Sequence, residues 1–274
     1  MNNPGDRPRG ASGDMSGEIP AAASGARLPD LYRMEDTNGW SQGMRRISLA
    51  LLAGMPFIRG PVLDLGCGGG MFVRDLAATR PQALVVGLDL SATALTYAQT
   101  RSGGERLLQG DGGILPLADK SIGLVTALDS FDQVSLDLDR ALAEVRRVLR
   151  PGGVLLARVS AHPWLAGPHD LAFNTGRRWR LHDLAHHFQA AGLQVERTTY
   201  ANSLLSPLIV AARLLQRWGD LSPKHLAEEN ALSNALLRRA LVVEAAWLEQ
   251  HRFPFGISAY LIARRPKRPD ILAS

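Results

Sequence analysis

The chain has 274 residues, a length that allows one large domain or one domain with a cap. A single cysteine excludes a disulfide framework and any multi-cysteine metal site, and we expect no metal. The net charge of +5 is mild and aromatic residues make up only 6%, which argues against a nucleic-acid-binding face. The chain has no apolar run of about 18 residues and no apolar signal-peptide core, so we expect a cytoplasmic protein.

Composition and periodicity divide the chain into six segments. The first is rich in Gly, Ser, Ala and Pro, and the second repeats apolar residues at helical spacing. We expect, in order, a disordered tail over residues 1–27, a helical cover over 28–60, a core over 61–201, a helical insertion over 202–253, a final core strand over 254–265 and a basic tail over 266–274.

The predicted core alternates strands and helices. Strands are predicted at 62–65, 83–88, 106–109, 122–128, 154–159, 193–200 and 257–263, and helices at 71–78, 92–100, 136–149, 181–191, 204–218 and 231–251. This alternation predicts an α/β fold with a doubly wound, mostly parallel seven-stranded sheet. Ligands of such sheets sit outside the carboxyl ends of the strands.

A glycine-dense run follows the first predicted strand. Residues 62–70 read V-L-D-L-G-C-G-G-G, which indicates a buried strand, a tight turn and a helix start. A dinucleotide-binding G-x-G-x-x-G would need glycine at position 71, where Met71 stands, so a nicotinamide oxidoreductase is disfavoured. The spacing D-x-G-x-G-x-G instead resembles motif I of the class I S-adenosylmethionine-dependent methyltransferases.

Two further segments carry the same resemblance. Residues 110–117, G-D-G-G-I-L-P-L, resemble the family's G-D-A-x-x-L-P-F segment, with Gly112 where alanine is usual. Residues 142–153 resemble the helix and turn that precede its fifth strand. Together with motif I, these segments cover about residues 60–160.

Acidic residues stand at the ends of four successive predicted strands: Asp64, Asp89, Asp111 and Asp129. The resemblance implies S-adenosylmethionine as the cofactor, with Asp64 on its ammonium side, directly or through water. It also implies that Asp89 binds the ribose hydroxyls, that Leu90 packs by the adenine, and that Asp111 and Gly112 meet the adenine amino group. The further expected cofactor contacts are Gly66, Cys67, Gly68, Asp129 and Ser130.

The sequence gives weaker signals for the residues that would contact the methyl acceptor. The H-D pair at His169 and Asp170 and the following R-R-W resemble a subset of bacterial family members. His162, His169 and Asp170 are therefore candidates for a base that takes a proton from an attacking oxygen or nitrogen. Alternatively, His169 and Asp170 only brace a loop. The candidate acceptor contacts are Tyr32, Trp40, Phe131, Trp164, Arg178 and Asn202.

These features favour a methyltransferase acting on a small, partly apolar acceptor at O, N or C. The reaction would be an in-line displacement, in which the enzyme mainly positions the acceptor. The helical insertion could cap the acceptor pocket, bury its own faces or mediate dimerisation, so both monomer and homodimer stay open. The alternatives are a protein or nucleic-acid methyltransferase, although no N-P-P-Y follows the fourth strand, and a non-catalytic cofactor-binding protein.

Overall fold

The computed structural model describes residues 37–56, 58–101, 106–167, 170, 174–211 and 231–267. Four predictions lie wholly or largely outside these residues. They are the disordered tail over 1–27, the acceptor contact Tyr32, the candidate base His169 and most of the basic tail.

Seven strands form one sheet in the order β3-β2-β1-β4-β5-β7-β6. The strands are β1 (Val62–Leu65), β2 (Val85–Asp89), β3 (Arg106–Gln109), β4 (Ile122–Leu128), β5 (Leu149–Ser160), β6 (Gln194–Ala201) and β7 (Ser258–Arg264). β1 to β5 pair in parallel, whereas β7 runs antiparallel to both of its neighbours. The predicted doubly wound, mostly parallel seven-stranded sheet is confirmed.

Six named α-helices flank the sheet in the described residues: α1 (Gly39–Ala53), α2 (Met71–Thr79), α3 (Ala92–Gln99), α4 (Leu138–Val148), α5 (Leu181–Ala190) and α6 (Ala231–Leu248). Residues 206–211 are also helical. Side-chain oxygens cap three of the helices, because Asn38, Ser91 and Asp137 accept from the first-turn amides of α1, α3 and α4. Ser91 is the cap that its place before the α3 sequence suggests.

Most element bounds differ from the predicted ones by one or two residues. β5 is the larger exception, since it begins at Leu149 and not at Val154. Leu149 pairs with Ile122 across an irregularity in the β4–β5 register, which draws the Pro-Gly-Gly turn into the strand.

Two apolar layers cover the two faces of the sheet. On one face, α4 and α5 pack against residues such as Leu63, Val125 and Leu155. On the other, α1, α2 and α6 pack against Leu124, Leu156 and neighbouring residues. The long β5 contributes to both layers because successive side chains of a strand point to opposite faces.

The direction of β7 determines which chain segments reach the carboxyl edge of the parallel strands. β6 is parallel to β5, because both are antiparallel to β7. β6 therefore ends, and β7 begins, at the same edge as the glycine turn. Helix α6, which lies in the described part of the connection between them, packs along α1 through Leu241, Ala245 and Leu248.

Candidate active site

The glycine turn after β1 needs its glycines for backbone conformation. Gly66, Gly68 and Gly70 have φ angles of 73°, 51° and 77°. A Cβ on Gly66 would collide with the Ser130 side chain, and one on Gly70 would stand 2.8 Å from the Ala98 Cβ. The turn is therefore tightly packed as well as left-handed. It delivers the chain to α2, whose first turn has no side-chain cap and keeps backbone N–H groups free.

Asp89, at the end of β2, is held against this turn. Its Oδ2 accepts from the backbone N of Gly68 at 2.9 Å, and its Oδ1 accepts from the backbone N of Ser91 at 2.8 Å. Each carboxylate oxygen has two lone pairs, so both oxygens can still accept from a hydroxyl. The side chain is only partly buried and its orientation is fixed.

Asp64 differs from the predicted strand-end acid. It lies within β1, almost wholly buried, and accepts a 2.6 Å hydrogen bond from the Thr126 hydroxyl on β4. Burial raises the pKa of Asp64 to about 7, the Thr126 hydrogen bond opposes that rise, and the charge of Asp89 adds to it. At neutral pH this acid is balanced between its two protonation states.

The segment after β3 places polar and apolar groups side by side. Asp111 accepts from the backbone N of Gly113 at 2.8 Å, and Gly112 is buried. A Cβ on Gly112 would stand 2.9 Å from the Leu136 Cδ1, so glycine in place of the family's alanine fits this packing. Leu90 and Ile114, which follow the paired strands β2 and β3, are both more than half exposed.

Two predicted cofactor contacts use their side chains inside the protein. The Ser130 hydroxyl donates to the Leu65 carbonyl at 2.7 Å and so joins the ends of β4 and β1. The Cys67 thiol is buried in the apolar layer, and burial raises its pKa above its ordinary value. The thiol is therefore inert, and Cys67 faces the turn mainly through its backbone.

Asp129 ends β4 in a left-handed conformation, with φ 56°. Its Oδ1 accepts from the Arg158 Nε at 2.9 Å, and its Oδ2 accepts from a terminal nitrogen of the same guanidinium. Arg158 is buried, whereas the Asp129 side chain is 37% exposed. Burial lowers the pKa of Arg158, but the charges and hydrogen bonds of Asp129 and Tyr260 together raise it by more. The pKa of Arg158 is therefore above its ordinary value, and the arginine stays charged.

A polar network links Arg158 to α1. The Tyr260 hydroxyl on β7 lies 3.5 Å from an Arg158 nitrogen and 2.8 Å from the Ser48 hydroxyl. Tyr260 also donates to the Met44 carbonyl at 3.2 Å. The Trp40 ring lies 5.7 Å from the Arg158 guanidinium carbon. Trp40, a predicted acceptor contact, thus lies beside the Asp129 site.

His162 follows β5 with φ 60° and is partly buried. Its ring stacks on both Tyr200 and Phe255, with centroid distances of 5.0 and 4.7 Å, and those two rings lie 6.5 Å from each other. Nε2 lies 3.0 Å from the Gly256 carbonyl, which can only accept, so Nε2 carries the proton and Nδ1 presents a lone pair. Burial lowers the pKa of His162, and Arg178 lowers it further, against an opposing effect of the Gly256 carbonyl. The imidazole is therefore neutral near pH 7.

Asp170 and Arg178 form a buried ion pair in the segment after β5. Asp170 accepts from Arg178 Nε at 2.8 Å and from an Arg178 terminal nitrogen at 2.6 Å. Arg178 also donates to the Ala161 carbonyl, and Asp170 accepts from the backbone N of Gly167. These contacts correspond to the loop brace that was the alternative to a catalytic role for Asp170.

The remaining predicted acceptor contacts differ in accessibility. Trp164 is about half exposed, with its ring 5.8 Å from that of His162. Phe131 is buried and packs edge to face on Phe188 in the core. Asn202 ends β6 at φ 56°; its side chain is fully buried, and neither amide atom has a hydrogen-bond partner among the described residues.

Several site residues have no counterpart among the predicted ones. Arg158 could have been found, because it is a lone charged residue in the apolar run V-L-L-A-R-V. Tyr200, Phe255 and Tyr260 come together only through the β5–β7–β6 pairing. Within the described ranges, no group of three or more His, Cys, Asp or Glu side chains is placed to hold a metal ion.

Residues 63–157 match the family model described as "Methyltransferase domain". The chain is 39% identical over 117 residues to a malonyl-[acyl-carrier protein] O-methyltransferase of Methylococcus capsulatus, a match covering 40% of this chain and 42% of the relative. It is 38% identical over 97 residues to a fatty-acid O-methyltransferase of Mycolicibacterium smegmatis, covering 35% of each.

These matches identify a methyltransferase domain over residues 63–157 of the chain. The structure of Haemonchus contortus phosphoethanolamine N-methyltransferase 2 in complex with S-adenosyl-L-methionine has the same fold, with a TM-score of 0.54. At 17% identity, the match covers 89% of this chain and 61% of that methyltransferase. The chain spans less than half the length of the two curated methyltransferases that it matches.

Proposed function

We propose that this protein transfers a methyl group from S-adenosylmethionine to a small, partly apolar acceptor. The observation that carries the proposal is the Asp89 carboxylate, which is fixed by the amides of Gly68 and Ser91 at the mouth of a left-handed glycine turn. When bound, the cofactor supplies an electrophilic methyl group on a sulfonium.

The residues around the turn fit each part of that cofactor. Asp89 has lone pairs free for the ribose hydroxyls, and Leu90 and Ile114 offer exposed apolar surface for the adenine beside Asp111. Asp64 supplies negative charge from beneath the turn and, being buried, would act on the ammonium through water or through space. Asp129, Ser130 and Cys67 would shape the site through their backbone and packing.

The acceptor would lie between Asp129 and the His162 stack, under Trp40 and Trp164. The neutral imidazole of His162 presents Nδ1 as a hydrogen-bond or proton acceptor. The helical insertion would wall the chamber, and Asn202, whose side chain at the end of β6 is fully buried, is left out of the acceptor site. Asp170 and Arg178 would hold the loop that carries Trp164. We leave Phe131 out of the acceptor site because it is buried in the core.

The printed names of the curated relatives bear on the acceptor. One acts on a malonyl-[acyl-carrier protein] and the other on a fatty acid, and both are O-methyltransferases. An acyl carboxylate is therefore the first acceptor class to test. Such a group is already ionised at neutral pH and needs no base, and the Nδ1 lone pair of His162 would not hydrogen-bond to it. With a hydroxyl or amine acceptor, His162 would act as the base.

Titration calorimetry with S-adenosylhomocysteine and with NAD tests the donor site. The proposal requires binding of S-adenosylhomocysteine and is overturned if NAD binds in preference. Acceptor panels of fatty acids, hydroxylated aromatics and amines, followed by mass spectrometry for a gain of one methyl group, test the reaction. Binding of S-adenosylhomocysteine without transfer to these small molecules, but with transfer to protein or nucleic acid, would favour the alternative acceptor classes.

A further inference from the structure

Helix α6 is apolar on two opposite faces. Leu241, Ala245 and Leu248 are buried against α1, where a Cβ on Gly43 would collide with Leu241. On the far side of the helix, Leu232, Leu236, Val243 and Trp247 are exposed by 70, 56, 63 and 50%. Their spacing of four and seven residues places them on one side, which we call the outer stripe. An apolar stripe of this kind marks a surface that contacts something other than water.

The charges around the outer stripe are mainly positive. Arg238, Arg239 and Arg252 are exposed, and residues 231–253 contain two acids, of which Glu244 is fully buried and Glu249 is exposed. Arg239 lies within the stripe by helical position and has no ion pair or hydrogen bond among the described residues. Trp247 stacks on His251 at a centroid distance of 4.0 Å near the helix end.

We infer that the outer stripe docks on the surface of an anionic lipid bilayer. Leucine, valine and tryptophan on one helix face, with Arg239 among them, match a helix lying in the membrane interface. Tryptophan favours that depth, and an arginine can extend its head to lipid phosphates while its stem stays in apolar surroundings. No helix within the described ranges is long and apolar enough to cross a membrane, so contact would be with the surface only.

A second copy of the chain fits this stripe less well. A twofold contact would bury Arg239 against the same apolar surface of its partner, with no carboxylate in the stripe to pair with it. Lipid phosphates would supply the missing negative charge.

The stripe is also tied to the candidate acceptor site. The buried Glu244 carboxylate of α6 accepts from the backbone N of Ser203 and of Leu204, directly after β6 reaches the carboxyl edge. A docked α6 would therefore hold this edge near the lipid. The acceptor could then be drawn from the bilayer, and this part of the inference rests on the proposed function. The docking of α6 on the bilayer does not depend on that function.

Vesicle co-sedimentation of the full chain tests the docking. We expect binding to phosphatidylcholine vesicles that contain phosphatidylglycerol, little binding to phosphatidylcholine alone, and release by salt. Leu236→Asp should weaken binding roughly tenfold or more, because it replaces an inserted side chain with a charge that the lipid repels. Arg239→Gln should weaken binding and lower its salt dependence. The matched control is Leu84→Asp, at a leucine 45% exposed before β2.

Four results would overturn the inference. The first is no vesicle binding, and the second is equal binding by the Leu236→Asp and Leu84→Asp proteins. The third is a dimer in sedimentation velocity that Leu236→Asp abolishes, which would assign the stripe to a second copy. Thermal unfolding checks that the variants fold, and a large loss of stability in Leu236→Asp would mean that the chain itself covers the stripe. Titration with S-adenosylhomocysteine on the same samples tests the proposed function separately.

Discussion

The Arg158 guanidinium donates hydrogen bonds to both carboxylate oxygens of Asp129. Arg158 is buried on β5, whereas the Asp129 carboxylate is partly open to solvent at the end of β4. The pair fixes an acid whose backbone is in the left-handed region. Through Tyr260 and Ser48, the same arginine is linked to α1.

Replacing Arg158 should remove the hydrogen bonds that fix Asp129 and also weaken the packing of α1 on the sheet. We expect Arg158→Met to lower the free energy of unfolding by about 2–3 kcal/mol, because charged hydrogen bonds are lost while Asp129 keeps partial access to water. Urea unfolding measures this loss. Arg158→Lys, which keeps the charge, should recover part of it, and equal stability of Arg158→Met and wild type would contradict the role described.

Asp89 should control the affinity for the cofactor. Asp89→Ala removes the anchor of the Gly68 amide and, on the proposed function, two charged hydrogen bonds to the ribose, so we expect S-adenosylhomocysteine to bind about 100-fold more weakly. Calorimetry gives the dissociation constant. Asp119→Ala is the matched control, since Asp119 is an exposed acid paired with Arg147 away from the turn. An unchanged affinity in Asp89→Ala would refute the ribose contact.

Asp64 should make cofactor affinity depend on pH. Its pKa is raised to about 7 in the free protein, and a nearby ammonium favours the ionised form. Binding of S-adenosylhomocysteine should therefore release protons and tighten as pH rises through about 7, and Asp64→Asn should remove this slope. Calorimetry in buffers of different ionisation enthalpy measures the protons released.

The raised pKa of Asp64 also makes the stability of the free protein depend on pH, but in the opposite direction to cofactor affinity. The folded state binds the Asp64 proton more tightly than the unfolded chain, whose pKa is near 3.8. The Asp64 contribution to the free energy of unfolding therefore falls as pH rises from 3.8 to about 7. A flatter stability profile in Asp64→Asn would support this assignment, and an unchanged profile would contradict it.

Glu244 should stabilise the junction between β6 and the insertion. Its buried carboxylate accepts from the amides of Ser203 and Leu204, so Glu244→Ala leaves buried N–H groups without a partner. We expect a loss of about 2–4 kcal/mol in the free energy of unfolding. Glu249→Ala, five residues further along and exposed, should change it by less than about 0.5 kcal/mol. Similar losses in the two variants would count against the role of Glu244.

The Asp170–Arg178 pair should behave as a brace. Arg178→Met leaves a buried carboxylate without its partner and should cost about 3–5 kcal/mol, while Asp170→Leu combined with Arg178→Met should recover much of that loss. A double-mutant cycle by urea unfolding measures the coupling. Additive losses would show that the two side chains act separately and would reopen a catalytic role for Asp170.

The sequence predicts the glycine turn and the strands around it well, because local signals encode them. Positive-φ glycines, strand-end acids and the helix start all lie within short stretches, so spacing alone identifies the turn at Gly66 and the acid at Asp89. Asp64 shows the limit of that approach. Its pattern predicts an acid near the ligand, but its burial against Thr126 depends on the pairing of β1 with β4.

The proposed acceptor site depends on contacts between segments that are distant in the chain. His162, Tyr200 and Phe255 stack only because β7 enters the sheet beside β5 and brings β6 with it. Pairing of this kind leaves no spacing pattern in the chain. The same holds for Glu244, which looks like one polar residue in an apolar helix until its amide partners are known.

The reversed direction of β7 has a practical consequence. Both ends of the β6–β7 connection lie at the carboxyl edge, whereas β7 itself ends at the opposite edge. The chain segments that follow β6 and precede β7 therefore both border the edge that carries the glycine turn. A tag or surface linker joined after β7 would be attached at the edge of the sheet remote from that turn.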